Sequence, residues 1–223
     1  MARHGGGMVS GLLFLDCDST LSAVEGVDEL ARLRGPDCLE RVARLTDEAM
    51  AGDMPIHEVF GKRLDLIRPS RGECEKIGNL YLKTIAPGVA AALDQARRVG
   101  WLPVILSGGF LPCVAPLARH LGIADVAAVP LCFDESGGYA GFDGDYPTTR
   151  NGGKPEIIAA WRATRPTARV VMVGDGVSDL ETAPVVDSFI GFGGFVRRAK
   201  VVESSPRYID SFSQLPAILG SLR

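Results

Sequence analysis

Gly11-Leu12-Leu13-Phe14-Leu15-Asp16-Cys17-Asp18-Ser19-Thr20 is the stretch that decides the fold. Its apolar opening does not alternate with polar residues, which is how a strand buried on both faces reads. It breaks off at an aspartate. The same pattern recurs four times: Leu102–Leu106 stops at Ser107, Val126–Val129 at Pro130, Arg169–Val173 at Gly174-Asp175, and Asp187–Phe192 at a glycine pair. Between these runs lie segments of helical spacing, Val89–Val99, Cys113–Leu121, Pro155–Thr164 and a short one from about Asp179. Strands alternating with helices of this length require right-handed crossovers, and therefore an open α/β sheet of parallel strands.

Residues 23–82 break the alternation. Four amphipathic segments, Glu25–Arg34, Leu39–Ala51, Ile56–Ile67 and Arg71–Tyr81, follow one another across Arg-Gly-Pro, Gly-Asp-Met-Pro and Arg-Pro-Ser-Arg-Gly breaks. The expected organisation is a Rossmann-like core formed by residues 1–22 and 83–223, with a helical-bundle cap, residues 23–82, inserted after the first strand. The junctions near Ser22 and near Ala86-Pro87-Gly88 are the expected hinges. Phe133–Pro147, with Ser136-Gly137-Gly138 between β-prone runs, reads as a small β-hairpin flap.

Composition narrows the function classes. Of 223 residues 46% are apolar and 23% charged, enough apolar material for a substantial core. The net charge of −3 argues against nucleic-acid binding by bulk electrostatics. No apolar run approaches the roughly 18 residues of a membrane span, and the Leu12–Leu15 run ends in acid rather than a cleavage site. The five cysteines form no C-x-x-C pair and the three histidines no metal-binding spacing. Buried apolar thiols in a reducing cytoplasm are the expectation, with no membrane or nucleic-acid partner.

Ligands of an open α/β sheet bind beyond the carboxyl ends of its strands. Three such ends here carry Asp16-Cys-Asp18-Ser-Thr20, Ser107-Gly108-Gly109 and Gly174-Asp175-Gly-Val-Ser178-Asp179, and Lys154 opens a helix after Gly152-Gly153. Any one of these is an ordinary turn composition; their coincidence in one chain points to a site. Asp16 and Asp175 offer an all-oxygen pocket suited to Mg²⁺, while Ser107, the backbone N–H groups after it and Lys154 suit an anion. A carboxylate can attack phosphorus and a second one two residues on can serve as acid and then base. Cys17, between the two acids, reads as a core residue, because alternate side chains of an extended segment point oppositely.

Taken together, Asp16-x-Asp18-Ser19-Thr20, Ser107-Gly108-Gly109, Lys154 and Gly174-Asp175-Gly-x-Ser178-Asp179 resemble the motifs of haloacid dehalogenase-like phosphatases. Glu25-Gly-Val-Asp-Glu-Leu-Ala31, Ala49-Met50, Arg63-Leu-Asp-Leu-Ile67, Tyr139-Ala-Gly-Phe-Asp143 and Ile190-Gly-Phe-Gly-Gly194 are similar to stretches of the phosphoserine phosphatase branch. The resemblance implies a Mg²⁺-dependent phosphomonoesterase that hydrolyses O-phospho-L-serine in serine biosynthesis. Asp16 would be nucleophile and metal ligand; Asp18 would be acid/base and ligate through its carbonyl. Asp175 would complete the ligand set, with Asp179 supporting it. Ser107, Gly108, Gly109, Lys154 and Ser178 would hold the phosphoryl group, Glu25 the ammonium and Arg63 the carboxylate, with Met50 lining the pocket. Ala51 and Ile56 depart from the glycine and phenylalanine of related enzymes, which reshapes the pocket wall.

Alternatives within the pocket are a phosphatase or phosphotransferase for phosphothreonine or phosphohomoserine; outside it, a non-catalytic phosphate-binding module on the same fold. The expected partner is a small phosphorylated amino acid, and the expected assembly a monomer or homodimer. Arg198, after the glycine pair, reads as an exposed arginine.

Overall fold

The computed structural model describes residues 10–51 and 56–222. Its sheet has six strands: β1 (Gly11–Leu15), β2 (Trp101–Phe110), β3 (Asp125–Val129), β6 (Arg169–Gly174), β7 (Ser188–Phe192) and β8 (Arg207–Ile209). They run in the order β3-β2-β1-β6-β7-β8, and every pairing is parallel. A separate antiparallel hairpin joins β4 (Leu131–Phe133) to β5 (Tyr139–Phe142). All five residues of β1 are buried. Leu12 and Phe14 enter one apolar layer with Ile158, Val170 and Met172; Leu13 and Leu15 enter the other with Leu93, Ile105 and Val173. Two covered faces explain the unbroken apolar run, and each buried leucine or phenylalanine contributes about 1.5–3 kcal/mol.

Between β1 and β2 lie α1 (Gly26–Arg32), α2 (Pro36–Ala51), α3 (Ile56–Ile67), α4 (Arg71–Lys83) and α5 (Val89–Arg98). The later helices are α6 (Leu111–His120), α7 (Gly153–Thr164), α8 (Val177–Leu180), α9 (Ala199–Ser204) and α10 (Leu215–Ser221). The break before α4 acts as read: Ser70 Oγ accepts from the Glu73 N–H at 3.3 Å, and Glu73 Oε2 accepts from the Ser70 N–H at 2.8 Å, while the Gly52-Asp53-Met54-Pro55 break lies outside the described residues. That reciprocal pair satisfies two otherwise orphaned donors at the start of α4. α4 then packs on α6 so closely that a methyl group on Gly78 would stand 2.6 Å from Pro116 Cγ.

The two chain passages between sheet and helices α1–α4 run side by side. Ser22 bridges Ile85, the Ala23 N–H donates to Thr84 O at 3.0 Å, and the Ala86 N–H to Leu21 O at 2.9 Å. The Thr84 hydroxyl donates to Leu80 O, so in the 2.7 Å contact between hydroxyls it is Ser22 that donates.

Beyond shifted ends, such as α2 starting at Pro36 rather than Leu39, two strands differ from the sequence reading. β2 continues through Ser107-Gly108-Gly109 to Phe110, with its pairing to β3 shifted between Leu106 and Phe110. The short β8 was not expected at all. The hairpin turn is tied by Asp134, whose Oδ1 accepts from the N–H groups of Ser136 (2.9 Å) and Gly138 (2.8 Å). It rests against α3 and α4 through Phe142 on Phe60 and the Arg71 guanidinium 4.8 Å over Phe133. No helix among the described residues is long and apolar enough to cross a membrane.

Candidate active site

Register places the acids. β1 and β6 pair with Leu15 opposite Val173, and the Asp16 N–H donates to Val173 O at 3.0 Å. The residues just past both strand ends, Asp16 and Asp175, therefore meet where the strand order reverses, which is where open α/β sheets form their crevice. Asp179 joins them from α8. A methyl group on Gly174 would stand 2.3 Å from Asp179 Cγ, so the bare glycine is what admits that carboxylate. Carboxylate oxygens of Asp16, Asp175 and Asp179 lie within 4.8 Å of one another, and all three residues are buried.

Two cations answer this charge. Lys154, 5% exposed at the start of α7, donates from Nζ to Asp16 Oδ1 at 2.7 Å and to Asp179 Oδ1 at 2.5 Å. Burial alone would lower its pKa, but the two carboxylates overcome that and raise it, so it stays charged. Arg198 Nε donates to Asp175 Oδ2 at 3.0 Å, and Thr20 Oγ1 to Asp175 Oδ1 at 3.0 Å. Asp179 is also held by the Gly176 N–H, 2.9 Å from Oδ2. Burial first, and the Asp16 charge second, push the Asp175 and Asp179 carboxyls up. Asp16 Oδ2 has no hydrogen-bond donor among the described residues. A buried cluster of hard oxygen donors with raised affinity for positive charge fits a divalent cation of the magnesium type.

Toward the end of β2, Ser107 is fully buried and its Oγ accepts from the Gly109 N–H at 2.9 Å. A methyl group on Gly109 would lie 3.0 Å from Asp18 Oδ2 and 3.1 Å from Ser107 Oγ, so these three residues converge. Gly108 faces the Thr148 carbonyl more loosely, at 3.9 Å by the same measure. Asp18 Oδ1 accepts from the Gly26 N–H at 3.0 Å and, in a short contact, from the Tyr81 hydroxyl. Burial, then the charges of Glu25 and Asp16, hold the Asp18 carboxyl up at about 8. Cys17 is fully buried in the core, and burial pushes its thiol up. Ser178 is exposed on α8 and is not brought into hydrogen-bond contact with the cluster among the described residues.

The helical side carries the remaining candidates. Glu25 Oε1 accepts from Ser19 Oγ at 2.7 Å and from Arg198 Nη2 at 3.2 Å. Arg198 thus corrects the expectation of a solvated arginine: it bridges Glu25 and Asp175, partners 173 and 23 residues away. Arg63 on α3 donates from Nη1 to Thr46 Oγ1 at 3.2 Å and stacks 5.6 Å from the Phe60 ring centroid. Burial lowers its pKa, while the charges of Asp28 and Glu25 pull it back up. The side chains of Met50, Ala51 and Ile56 fall outside the described residues. Tyr81 is a site contact that the sequence reading missed. Thr20 entered it only as the last residue of the opening motif, and Arg198 only as an exposed arginine after the glycine pair.

Residues 13–184 match the haloacid dehalogenase-like hydrolase family. The phosphoserine phosphatase of Bos taurus is 36% identical over 209 residues, 93% of this chain and 91% of that protein. That of Drosophila melanogaster is 37% identical over 92% and 77%. A solved phospho-aspartyl intermediate analogue of phosphoserine phosphatase superposes with a TM-score of 0.75 at 25% identity, covering 91% of this chain and 94% of that one. A phosphoserine phosphohydrolase-like protein from Francisella tularensis shares the fold with a TM-score of 0.80 at 21% identity, over 93% and 99%.

Proposed function

The chain belongs to the haloacid dehalogenase-like hydrolase family, within its phosphoserine phosphatase branch, and from that premise we propose that it hydrolyses O-phospho-L-serine to L-serine and phosphate. The observation that carries this reading is the buried trio of Asp16, Asp175 and Asp179, with Lys154 tied to Asp16 Oδ1 and the second oxygen of Asp16 without a donor among the described residues. A carboxylate held by one oxygen and open at the other is oriented to attack.

In the proposed sequence Asp16 Oδ2 forms a bond to phosphorus as the bond from phosphorus to the serine oxygen breaks. Asp18 gives its proton to the departing alkoxide, and L-serine leaves. Asp18 then takes a proton from water as the water oxygen attacks the phosphoaspartyl group, releasing phosphate and restoring the Asp16 carboxylate. Lys154, with the Ser107 hydroxyl and the Gly108 N–H, meets the non-bridging phosphoryl oxygens. Glu25 receives the substrate ammonium and Arg63 its carboxylate.

Asp16, Asp175 and the Asp18 carbonyl would hold Mg²⁺, with Asp179 behind them. When bound, the ion supplies charge that offsets the phosphoryl oxygens. We assign residues 23–82 as the cap that covers this pocket, and the β4–β5 hairpin as its flap.

The test is phosphate release from phosphoserine, phosphothreonine and phosphohomoserine, with and without a chelator. Phosphoserine is expected to have the highest kcat/KM, and chelation to abolish turnover until Mg²⁺ is restored. Mass spectrometry of acid-quenched enzyme is expected to find the phosphoryl adduct on Asp16. An adduct on another residue, or turnover indifferent to chelation, overturns the mechanism.

A further inference from the structure

Arg63 is held in an uncommonly one-sided way. Thr46, on α2, donates its own hydroxyl proton to Val42 O at 3.0 Å, so toward Arg63 it can only accept, and it takes Nη1 at 3.2 Å. Phe60, one turn earlier on the same helix, covers a face of the guanidinium. Nε is shielded from solvent yet has no hydrogen-bond partner, and Nη2 has none among the described residues. The charges of Asp28 and Glu25 act on the guanidinium, but neither forms an ion pair with it among the described residues. One nitrogen is thus anchored and one face covered, while the Nε–Nη2 edge has no partner among the described residues. That edge presents two parallel N–H groups, the geometry that matches a carboxylate.

We propose that Thr46 is a positioning residue for substrate choice: by holding Nη1 it fixes the roll of the Arg63 guanidinium, so that the Nε–Nη2 edge faces the carboxylate of a phosphorylated amino acid. This inference rests on the reading that Arg63 binds that carboxylate. Without the Thr46 acceptor the fork can rotate about its long side chain and spend its second donor elsewhere. The loss falls on carboxylate-bearing substrates alone, because Thr46 touches neither the acids nor Lys154.

O-Phosphoethanolamine separates the possibilities, since it keeps the phosphate and ammonium but lacks the carboxylate. In Thr46→Val the KM for phosphoserine should rise about tenfold with kcat little changed, the scale of losing one charge-assisted hydrogen bond. The KM for phosphoethanolamine should move less than about twofold, and Thr46→Ser, which keeps the acceptor, should restore phosphoserine binding. Thr46→Ala repeats the measurement with less bulk in case valine disturbs the packing. An unchanged KM for phosphoserine, or an equal rise for both substrates, overturns the inference while leaving Arg63 in its role. If Arg63→Ala itself affects the two substrates equally, the reading beneath the inference fails and takes the inference with it.

Discussion

The strand ends and the helical insert hold their charged groups in opposite ways. Where β1 and β6 finish, Asp16, Lys154, Asp175 and Asp179 are 0–7% exposed, and each is hydrogen-bonded to another part of the chain. In the insert, the Glu25 side chain is 44% exposed and Arg63 leans on one threonine and one ring. Parallel register fixes Asp16 and Asp175, where a shift of one residue would turn every side chain to the other face, and Lys154 and Asp179 reach them from α7 and α8. Single side-chain contacts outside the sheet pairing fix the second set: Ser19 and Arg198 for Glu25, Thr46 and Phe60 for Arg63. On the proposed roles, reaction chemistry sits on the part of the fold least free to vary, and selectivity on the part most free.

The largest expected effect strikes the rigid side. Asp16→Asn should lower kcat by more than about 10⁴-fold, read by single-turnover kinetics, while far-UV dichroism stays native. Next, Lys154→Met leaves Asp16 and Asp179 as buried acids without their counter-ion, and should cost about 3–5 kcal/mol of stability by denaturant unfolding in chelator. Saturating Mg²⁺ should return part of that loss; a midpoint equal to wild type would mean the strand-end charges are not coupled as their distances indicate. On the flexible side, Arg63→Ala should cut kcat/KM for phosphoserine by about 10- to 100-fold, and that for an aryl phosphate much less. Similar losses for both would erase the contrast between chemistry and selectivity.

The smallest effect lies on the outer surface of the helices. Arg34 grips Glu73 through both nitrogens, at 2.5 and 2.7 Å, but faces solvent. The Arg34 hydrogen bond and the Ser70 N–H hold the Glu73 carboxyl at about 2, below its usual 4.5. Because the folded-state value is depressed, the stabilisation is complete above about 4.5 and disappears as pH falls through about 2. Glu73→Gln should be less stable than wild type by about 0.2–1 kcal/mol at neutral pH, with the gap closing below pH 2 in urea titrations.

Much of this was legible because the strands are buried on both faces. Gly11–Leu15 and Arg169–Val173 have no polar alternation to blur them, so their ends, and the acids just past them, could be placed together. α3 begins and ends as its apolar spacing required, and α4 starts at Arg71 because its cap residues are written into the chain. Arg207–Ile209 escaped because three residues, exposed, half-buried and buried in turn, are too few to carry a period. β2 was cut short because serine and two glycines look like a loop even when the strand runs through them. Arg198 and Tyr81 were illegible for another reason. An arginine after a glycine turn and a tyrosine on an amphipathic helix look ordinary until folding carries them to Asp175 and Asp18.

One feature of the acidic trio reaches beyond turnover. Three carboxylates face one lysine and one arginine, so part of their mutual repulsion is met by the polypeptide itself, while burial and the remainder show in the raised carboxyls of Asp175 and Asp179. On the proposed Mg²⁺ dependence, an ion-starved chain would lie dormant rather than denatured, ready to resume as soon as the supply returns.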